Sequence, residues 1–150
     1  MPQSLSNILL HIVFSTKDRT GFILPEIETE LYPYVATICK SFECPALAVG
    51  GTENHIHVLC RLSRTITVSK LVEKIKTGSS KWIKNKGSRY HSFSWQRGYG
   101  AFSIGVSNLD ALKQYIANQK EHHRHRKFED ELRAIFKKYK IGYDERYVWD

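Results

Sequence analysis

The chain has few cysteines and no long apolar run, and both absences bear on the compartment in which it works. Its three cysteines, Cys39, Cys44 and Cys60, form an odd set without a C-x-x-C pair. A disulfide framework is therefore excluded, and reduced thiols of a cytosolic protein are expected. No apolar run approaches the length of a transmembrane helix, and the N-terminus lacks a signal-peptide pattern. We expect a cytoplasmic protein with no membrane partner.

Acidic residues are scarce relative to basic ones. The 150 residues include 15 Asp plus Glu against 23 Lys plus Arg, a formal net charge of +8. Such an excess favours a polyanionic partner, nucleic acid first and an anionic membrane surface second, although solubility alone also explains it. The length and the hydrophobic fraction of 41% fit one soluble domain over 1–150. No internal repeat, low-complexity linker or Gly-rich P-loop motif is present.

The segment 52–62 has, from His55 onward, the two-residue period of a strand with one face in the core. One face carries Ile56, Val58, Cys60 and Leu62, and the other carries His55, His57, Leu59 and Arg61. Side chains two residues apart point the same way, so both imidazoles project from one face, roughly 6–7 Å apart. Two neutral imidazoles at that separation can share a divalent metal ion. The alternative is a strand with two half-exposed histidines.

Apolar periodicity and turn residues predict an order of strands and helices. A continuous apolar run predicts a central strand over 8–14. Pro25 is a favourable first residue for a helix, and Pro33 would either kink this helix or delay its start. Gly50-Gly51-Thr52 predicts a tight turn that joins a strand over 46–49 to the histidine strand as a hairpin. The further expected elements are a helix capped by Thr67 or Ser69, a strand over 99–106, a helix over 109–123 and a helix over 128–139.

Several cations are candidates for contacts with nucleic acid. They are Lys17 and Arg19 in the loop 15–21, and Lys70, Lys74 and Lys81 on the polar face of the second helix. The others are Arg89, which shares the loop 87–95 with Trp95, and Arg124 and Arg126 in the cluster 121–127. Cations can track phosphates, and aromatic rings can stack on unpaired bases. A solvated basic surface explains the cations as well, and buried packing explains the aromatic residues. A His-rich metal site in the cluster 121–127 is disfavoured, because its Arg and Lys neighbours repel a cation.

The helix over 109–123 brings two further polar side chains together. Its apolar stripe consists of Leu109, Leu112 and Ile116. Tyr115 and Gln119 are adjacent at i and i+4 on an edge of that stripe, with His122 one turn further along. In an isolated helix, a tyrosine at this border is usually structural, with its hydroxyl in solvent.

A His-x-His pair on a strand, followed by a Tyr-x-x-x-Gln helix, resembles the HUH single-strand endonucleases. More narrowly, the chain resembles the single-tyrosine transposases of small bacterial insertion sequences, the insertion-sequence-200-like family. The resemblance covers nearly the whole chain. Besides His55-Ile56-His57 and Tyr115-x-x-x-Gln119, it includes Leu10-His11-Ile12-Val13-Phe14-Ser15-Thr16-Lys17, Leu71-Val72-x-x-Ile75-Lys76-x-x-Ser79-Ser80 and Trp95-Gln96-x-Gly98-Tyr99-Gly100-Ala101-Phe102-Ser103. These motifs are specific together, and none would suffice alone.

The resemblance implies an α+β fold of the HUH endonuclease type: a ferredoxin-like antiparallel sheet with helices on one face, in a bacterial or archaeal homodimer. Family members cut and rejoin hairpin-forming single-stranded DNA with a tyrosine nucleophile. Carried over by residue, Tyr115 is the nucleophile that forms a 5′-phosphotyrosine. His55, His57 and Gln119 hold a divalent ion, Mg²⁺ or Mn²⁺. The tyrosine helix can complete the site of its own subunit or of its partner, and the protein would associate with the nucleoid when it acts.

Two other functions stay open from the sequence. A domesticated or non-catalytic relative on the same fold would bind hairpins without cutting them, although the intact His, His, Tyr and Gln set argues against it. A metal-dependent nuclease would cut with water and leave Tyr115 a structural role. Only the trapping of a covalent protein–DNA adduct separates this nuclease from the transposase.

Overall fold

The structure, a computed structural model, describes residues 3–150. Its strands are β1 Leu9–Ser15, β2 Ala46–Thr52, β3 His55–Arg61 and β4 Gly100–Ile104. Its helices are α1 Pro25–Ser41, α2 Val68–Lys84, α3 Leu109–Ala117, α4 Gln119–His122 and α5 Phe128–Lys138. The strands form one antiparallel sheet in the order β2-β3-β1-β4. A βαββαβ chain with this strand order is ferredoxin-like, so the expected α+β fold class is confirmed.

Alternation along β1 separates the two faces of the sheet. Leu10, Ile12 and Phe14 point into the core that α1 and α2 share with the sheet. The two helices contribute apolar side chains at helical spacing, among them Ile27, Leu31, Val35, Leu71 and Ile75. Thr67 caps α2, because its hydroxyl oxygen accepts a hydrogen bond from the Lys70 amide at 3.1 Å.

The opposite face of the sheet is covered by the C-terminal helices of the same chain. Phe128, Leu132 and Phe136 on α5 pack against Val13 and Phe102, and α3 and α4 lie against β2. Helices α1 and α2 share one face, as the resemblance implies, and α3 to α5 are added on the other. This addition places the histidine face of β3 in the interior. No helix within residues 3–150 has the length and apolar character of a membrane span.

Three local expectations differ from the structure. Residues 50–52 belong to β2, and the hairpin turn lies at Glu53-Asn54, because the register pairs Thr52 with His55. Helix α1 begins at Pro25 and continues through Pro33, so its start is not delayed. Pro33 lies on the exposed side of α1, where water can reach the carbonyl that loses its donor. Strand β4 ends at Ile104, before the expected residue 106.

The helix expected over 109–123 is interrupted at Asn118, whose φ of −100° and ψ of 21° are not helical. Tyr115 therefore lies on α3, whereas Gln119 begins α4. The Asn118 amide still donates to the Gln114 carbonyl oxygen at 3.0 Å. The interruption is thus small enough to leave Tyr115 and Gln119 adjacent.

A close approach between β2 and α3 requires glycine at position 50. A Cβ built on Gly50 would lie 2.6 Å from the Ile116 carbonyl oxygen and 3.0 Å from Ile116 Cγ2. Ile116 belongs to the helix that carries Tyr115. The absence of a side chain at Gly50 therefore sets how closely this helix lies against the sheet.

Gly50→Ala is expected to lower the free energy of unfolding by about 1–3 kcal/mol, because the added methyl group must displace α3 or β2. Gly142→Ala is the matched control, since a Cβ there meets no atom within 4 Å. Urea denaturation followed by circular dichroism compares both variants with the wild type. Equal stability of all three proteins would show that α3 does not approach β2 this closely.

Candidate metal and nucleophile site

His55 and His57 lie in the interior, between the sheet and the C-terminal helices. Both side chains are fully buried, so the alternative of half-exposed histidines is wrong. Their rings meet edge to face, with centroids 5.2 Å apart. The Phe128 ring lies 4.6 Å from that of His55, and the Tyr115 ring lies 5.8 Å from that of His57. The helices α3 and α5 therefore remove both imidazoles from water.

Polar neighbours hold the Nδ1 atom of each imidazole and leave its Nε2 atom facing the interior. His55 Nδ1 lies 2.8 Å from Asn54 Oδ1 and 2.9 Å from Thr52 Oγ1. His57 Nδ1 lies 2.7 Å from His11 Nε2 on the neighbouring strand β1. Burial, reinforced by His57, lowers the pKa of His11 to about 3, so the His11 ring is neutral near pH 7. Such contacts orient the rings of metal-binding histidines.

Gln119 and Tyr115 complete the set expected from the sequence. Gln119 Oε1 lies 2.9 Å from His55 Nε2, while Gln119 Nε2 donates to Glu131 Oε2 at 3.1 Å. The second hydrogen bond fixes the amide with its oxygen toward His55. The Tyr115 hydroxyl donates a hydrogen bond to the same Glu131 oxygen. One chain thus brings together His55, His57, Gln119 and Tyr115.

Glu131 on α5 is a site residue that the sequence expectations did not include. Its Oε1 lies 3.2 Å from His57 Nε2 and 3.6 Å from His55 Nε2. In the sequence it is the third of three acidic residues in the first turn of α5, a position that the helix dipole alone explains. The sequence did contain one signal for it. Phe128 lies three residues before Glu131 and Ile135 four residues after it, so Glu131 falls on the apolar stripe of the helix.

The Glu131 carboxylate is a buried negative charge, and its side chain is 1% exposed. Burial would raise its pKa, but interactions with His123, His57 and Tyr115 outweigh burial and hold the pKa well below its ordinary value. Within residues 3–150, its ion-pair neighbours are histidines, and no Lys or Arg lies within 4.0 Å. A buried charge is costly unless it is paired. The site therefore favours a bound cation.

The surroundings of His55 also fit a metal ion. Asn54 Oδ1 and the Thr52 hydroxyl face Nδ1, while the acceptor oxygens Gln119 Oε1 and Glu131 Oε1 face Nε2. Burial, reinforced by His57, lowers the pKa of His55 to about 3, and a neutral ring carries only one N–H. With that N–H on Nδ1, directed at Asn54 Oδ1, the Nε2 lone pair would be available to a divalent cation. His55, His57 and Glu131 offer ligand atoms within 4.8 Å of one another.

The surroundings of Tyr115 favour a protonated hydroxyl group. Burial, together with the charge and the hydrogen bond of Glu131, raises the pKa of Tyr115 above its ordinary value. The same hydrogen bond directs the hydroxyl hydrogen toward Glu131 Oε2 and fixes the position of the phenolic oxygen beside the histidines. A cation that neutralises Glu131 would counteract the rise in this pKa.

Three of the cations expected to contact DNA lie next to the site. Arg126 lines a cavity of about 610 Å³ together with Tyr115 and Glu131. Arg19 and Arg124 line a neighbouring cavity of about 630 Å³, to which Arg126 also contributes. Lys17 is exposed two residues from Arg19. Arg19, Arg124 and Arg126 thus form a cationic rim beside the site, in which Glu129 pairs with Arg19 at 3.9 Å.

The other expected cations lie on different surfaces. Lys70, Lys74 and Lys81 belong to α2, which packs on the side of the sheet opposite to the histidines. Arg89 is exposed after the end of α2 and pairs with Glu26 at 3.1 Å. The structure therefore divides the expected DNA contacts into a set beside the site and a set on the α2 side.

Trp95, also expected to contact DNA, belongs to the core. Trp95 is only 7% exposed, and its indole N–H donates a hydrogen bond to Ser79 Oγ at 3.0 Å. The ring packs edge to face against Phe14 and Phe93, each at a centroid distance of 4.8 Å. A base cannot stack on a ring held in this way. The alternative of buried packing is therefore the correct one for Trp95. The sequence could not decide this, because aromatic side chains pack in cores and also stack on bases.

Comparisons with known proteins agree with this fold. The family model described as Transposase IS200 like matches residues 4–119. A candidate transposase from Deinococcus radiodurans R1 has 17% sequence identity and a TM-score of 0.62, over 77% of this chain and 93% of that chain. A REP-associated tyrosine transposase bound to a REP hairpin has 14% identity and a TM-score of 0.61, over 81% of this chain and 71% of that chain. No curated protein matches the chain. Since the family model spans most of the sequence, the chain belongs to the IS200-like transposase family.

Proposed function

We propose that this chain cuts and rejoins hairpin-forming single-stranded DNA through a covalent 5′-phosphotyrosine at Tyr115. The observation that carries the proposal is the convergence of His55, His57, Gln119 and Glu131 beside the Tyr115 hydroxyl. Membership of a transposase family supports it, as does the fold shared with a tyrosine transposase bound to a REP hairpin. In this proposal, residues 1–150 act as one HUH endonuclease domain.

His55, His57 and Gln119 would hold a divalent ion, Mg²⁺ or Mn²⁺, with the Glu131 carboxylate as a further ligand. Imidazole nitrogens with carboxylate and amide oxygens suit Mn²⁺, and the oxygens suit Mg²⁺. Two imidazoles and an amide are neutral, so Glu131 would be the one anionic protein ligand, and a divalent ion would keep positive charge to stabilise the scissile phosphate during displacement.

The proposed reaction begins at the phenolic oxygen of Tyr115. This oxygen attacks the phosphorus, a bond from phosphorus to Tyr115 forms, and the bond to the 3′ oxygen breaks in line. Glu131 Oε2 is the acceptor to which the hydroxyl proton already points. Glu131 passes this proton through solvent to the departing 3′ oxygen, which becomes a 3′-hydroxyl, so no net proton is gained or lost. The covalent link conserves the bond energy, so rejoining by a 3′-hydroxyl needs no ATP.

The cations divide into two proposed DNA contacts. Phosphates next to the scissile bond would meet the rim formed by Arg19, Arg124 and Arg126, together with the exposed Lys17 two residues from Arg19. The hairpin stem would meet the α2 side of the molecule through Lys70, Lys74, Lys81 and Arg89. Trp95 is left out of both sets because it is buried.

The homodimer expected from the resemblance stays a prediction. His55, His57, Gln119, Glu131 and Tyr115 all come from one chain, so the proposed reaction does not need the tyrosine helix of a partner. The cytoplasmic location and the association with the nucleoid likewise stay predictions.

A nuclease that uses water is the second candidate function. The observation in its favour is the raised pKa of Tyr115, because a phenol that resists deprotonation is a weak nucleophile. The same ligands could activate a water molecule instead. The two functions differ in whether the protein becomes attached to the DNA.

Tyr115→Phe is expected to abolish strand cleavage and covalent attachment, because the ring remains and the nucleophilic oxygen is lost. The loss of activity should reach about 10⁴-fold or more. The hydroxyl also donates to the buried carboxylate, so the variant should lose about 1–3 kcal/mol of stability. Denaturing gels with labelled single strands measure the protein–DNA adduct, and Tyr147→Phe in the exposed tail is the control. Cleavage by Tyr115→Phe, or cleavage by the wild type without attachment, would support the water-using nuclease.

His57→Ala and His55→Ala should each weaken Mn²⁺ binding at the site of His55, His57 and Gln119 by at least about 100-fold and abolish cleavage. Binding to a single-stranded hairpin should largely survive, because it depends on the cationic surfaces. Isothermal titration with Mn²⁺ and gel shifts with DNA measure the two properties separately. The exposed His91→Ala is the matched control. Equal losses of cleavage and hairpin binding would mean that the histidine pair is structural.

Binding should favour a single strand with a hairpin over a plain duplex and should weaken with salt, by a logarithmic slope of about 0.7 per phosphate contact. Arg126→Ala should reduce that slope by about 1. Arg61→Ala is the control, since Arg61 is exposed at the end of β3 far from His55. Fluorescence anisotropy at several salt concentrations provides the measurement. A slope near zero, or a preference for duplex, would contradict the proposed contacts.

A further inference from the structure

His122 and His123 form a second histidine pair next to the site, and the reaction proposed above does not use them. They lie at the end of α4, in a cluster expected to face DNA, yet their side chains are only 28% and 10% exposed. Among the residues that the structure describes, the buried Nε2 atom of each ring has no hydrogen-bond partner. Buried polar atoms are normally partnered. Both nitrogens lie within 3.5 Å of the Glu131 carboxylate but do not meet hydrogen-bond geometry with it, so their lone pairs are available to a ligand.

Both rings face the carboxylate of Glu131. His122 Nε2 lies 3.5 Å from Oε2, and His123 Nε2 lies 3.2 Å from Oε1. The ligand atoms of these three residues all lie within 4.8 Å of one another. Two imidazoles and a carboxylate are ligands that Mn²⁺ and Zn²⁺ accept. The chemistry of the pair is therefore that of a divalent cation site.

Glu131 is common to this set and to the pair on β3. Its Oε1 faces His55, His57 and His123, while its Oε2 faces His122 and also accepts the hydrogen bonds of Tyr115 and Gln119. The rings of His55 and His123 have centroids only 4.6 Å apart. A carboxylate can bridge two ions about 3.5–4 Å apart, as in two-metal sites for phosphoryl transfer. The two sets are thus close enough to share one carboxylate.

Two of the basic neighbours that argued against a metal site in the sequence make polar contacts outside it. Arg124 pairs with Glu121 at 3.2 Å. Arg126 Nη2 donates to the Asp130 carbonyl oxygen at 3.3 Å. Both histidine rings turn inward to Glu131, whose negative charge offsets part of the repulsion between these arginines and a cation.

We propose that His122, His123 and Glu131 bind a second divalent cation, adjacent to the ion held by His55, His57 and Gln119, with Glu131 shared between the two. The proposal deepens the proposed function and rests on it for the first ion. The competing explanation is a structural contact, in which the two histidines only surround the Glu131 charge.

The test counts the Mn²⁺ ions bound by the full chain, free of any affinity tag and stripped of metal with a chelator. Electron paramagnetic resonance measures free Mn²⁺ during a titration, and calorimetry measures the stoichiometry independently. The wild type should bind two ions per chain, and the double variant His122→Ala/His123→Ala should bind one. His125→Ala, an exposed histidine of the same segment, is the control and should bind two. His57→Ala should bind one ion tightly.

A wild-type stoichiometry of one ion overturns the proposal without reference to any variant, and so do two ions that persist in the double variant. Two ions that share Glu131 should also give a spin-coupled resonance spectrum, which the double variant should lack. The ion count does not depend on strand cleavage, so the two proposals fail separately. A chain that binds one ion and forms the Tyr115 adduct loses only the second site. A chain that binds two ions and forms no adduct loses only the proposed reaction.

Discussion

The buried carboxylate of Glu131 is the interaction on which the rest of the site depends. It contacts His57 on β3, Tyr115 on α3, Gln119 on α4 and His123 just after α4, so one side chain joins four parts of the chain. A charge costs several kcal/mol to bury unless it is well paired. Although burial lowers it, the contact with Glu131 raises the pKa of His123, so a protonated His123 or a metal ion can pair with this charge. Because Glu131 lies on α5, the packing of α5 against the sheet places the carboxylate among the other site residues.

Because the site includes Glu131, it extends beyond the part of the chain that the family model matches. The match ends at residue 119, the last of the ligands expected from the sequence, whereas Glu131 follows it. Phe128 and Phe136 hold α5 against Val13 and Phe102. Their apolar contacts position a carboxylate rather than merely cover a sheet. The C-terminal helices therefore form part of the candidate site.

Local patterns in the sequence predicted the elements, but not the contacts between distant ones. Period-two alternation placed both histidines on one face of β3, because strand geometry depends on immediate neighbours. The same alternation could not show that the face is buried, since α3 and α5 cover it from far along the chain. Glu131 was missed for this reason: its inward direction is decided by how α5 packs. Trp95 was misassigned because aromatic residues serve cores and bases alike.

Anomalous X-ray diffraction from crystals grown in saturating Mn²⁺ most directly tests whether Glu131 and the histidines hold a metal ion beside Tyr115. Data collected on both sides of the manganese absorption edge locate the ion without assumptions about its ligands. We expect an anomalous peak about 2.0–2.3 Å from His55 Nε2, His57 Nε2 and a Glu131 oxygen. A crystal that shows manganese peaks only elsewhere, or none among these side chains, would contradict this description of the site.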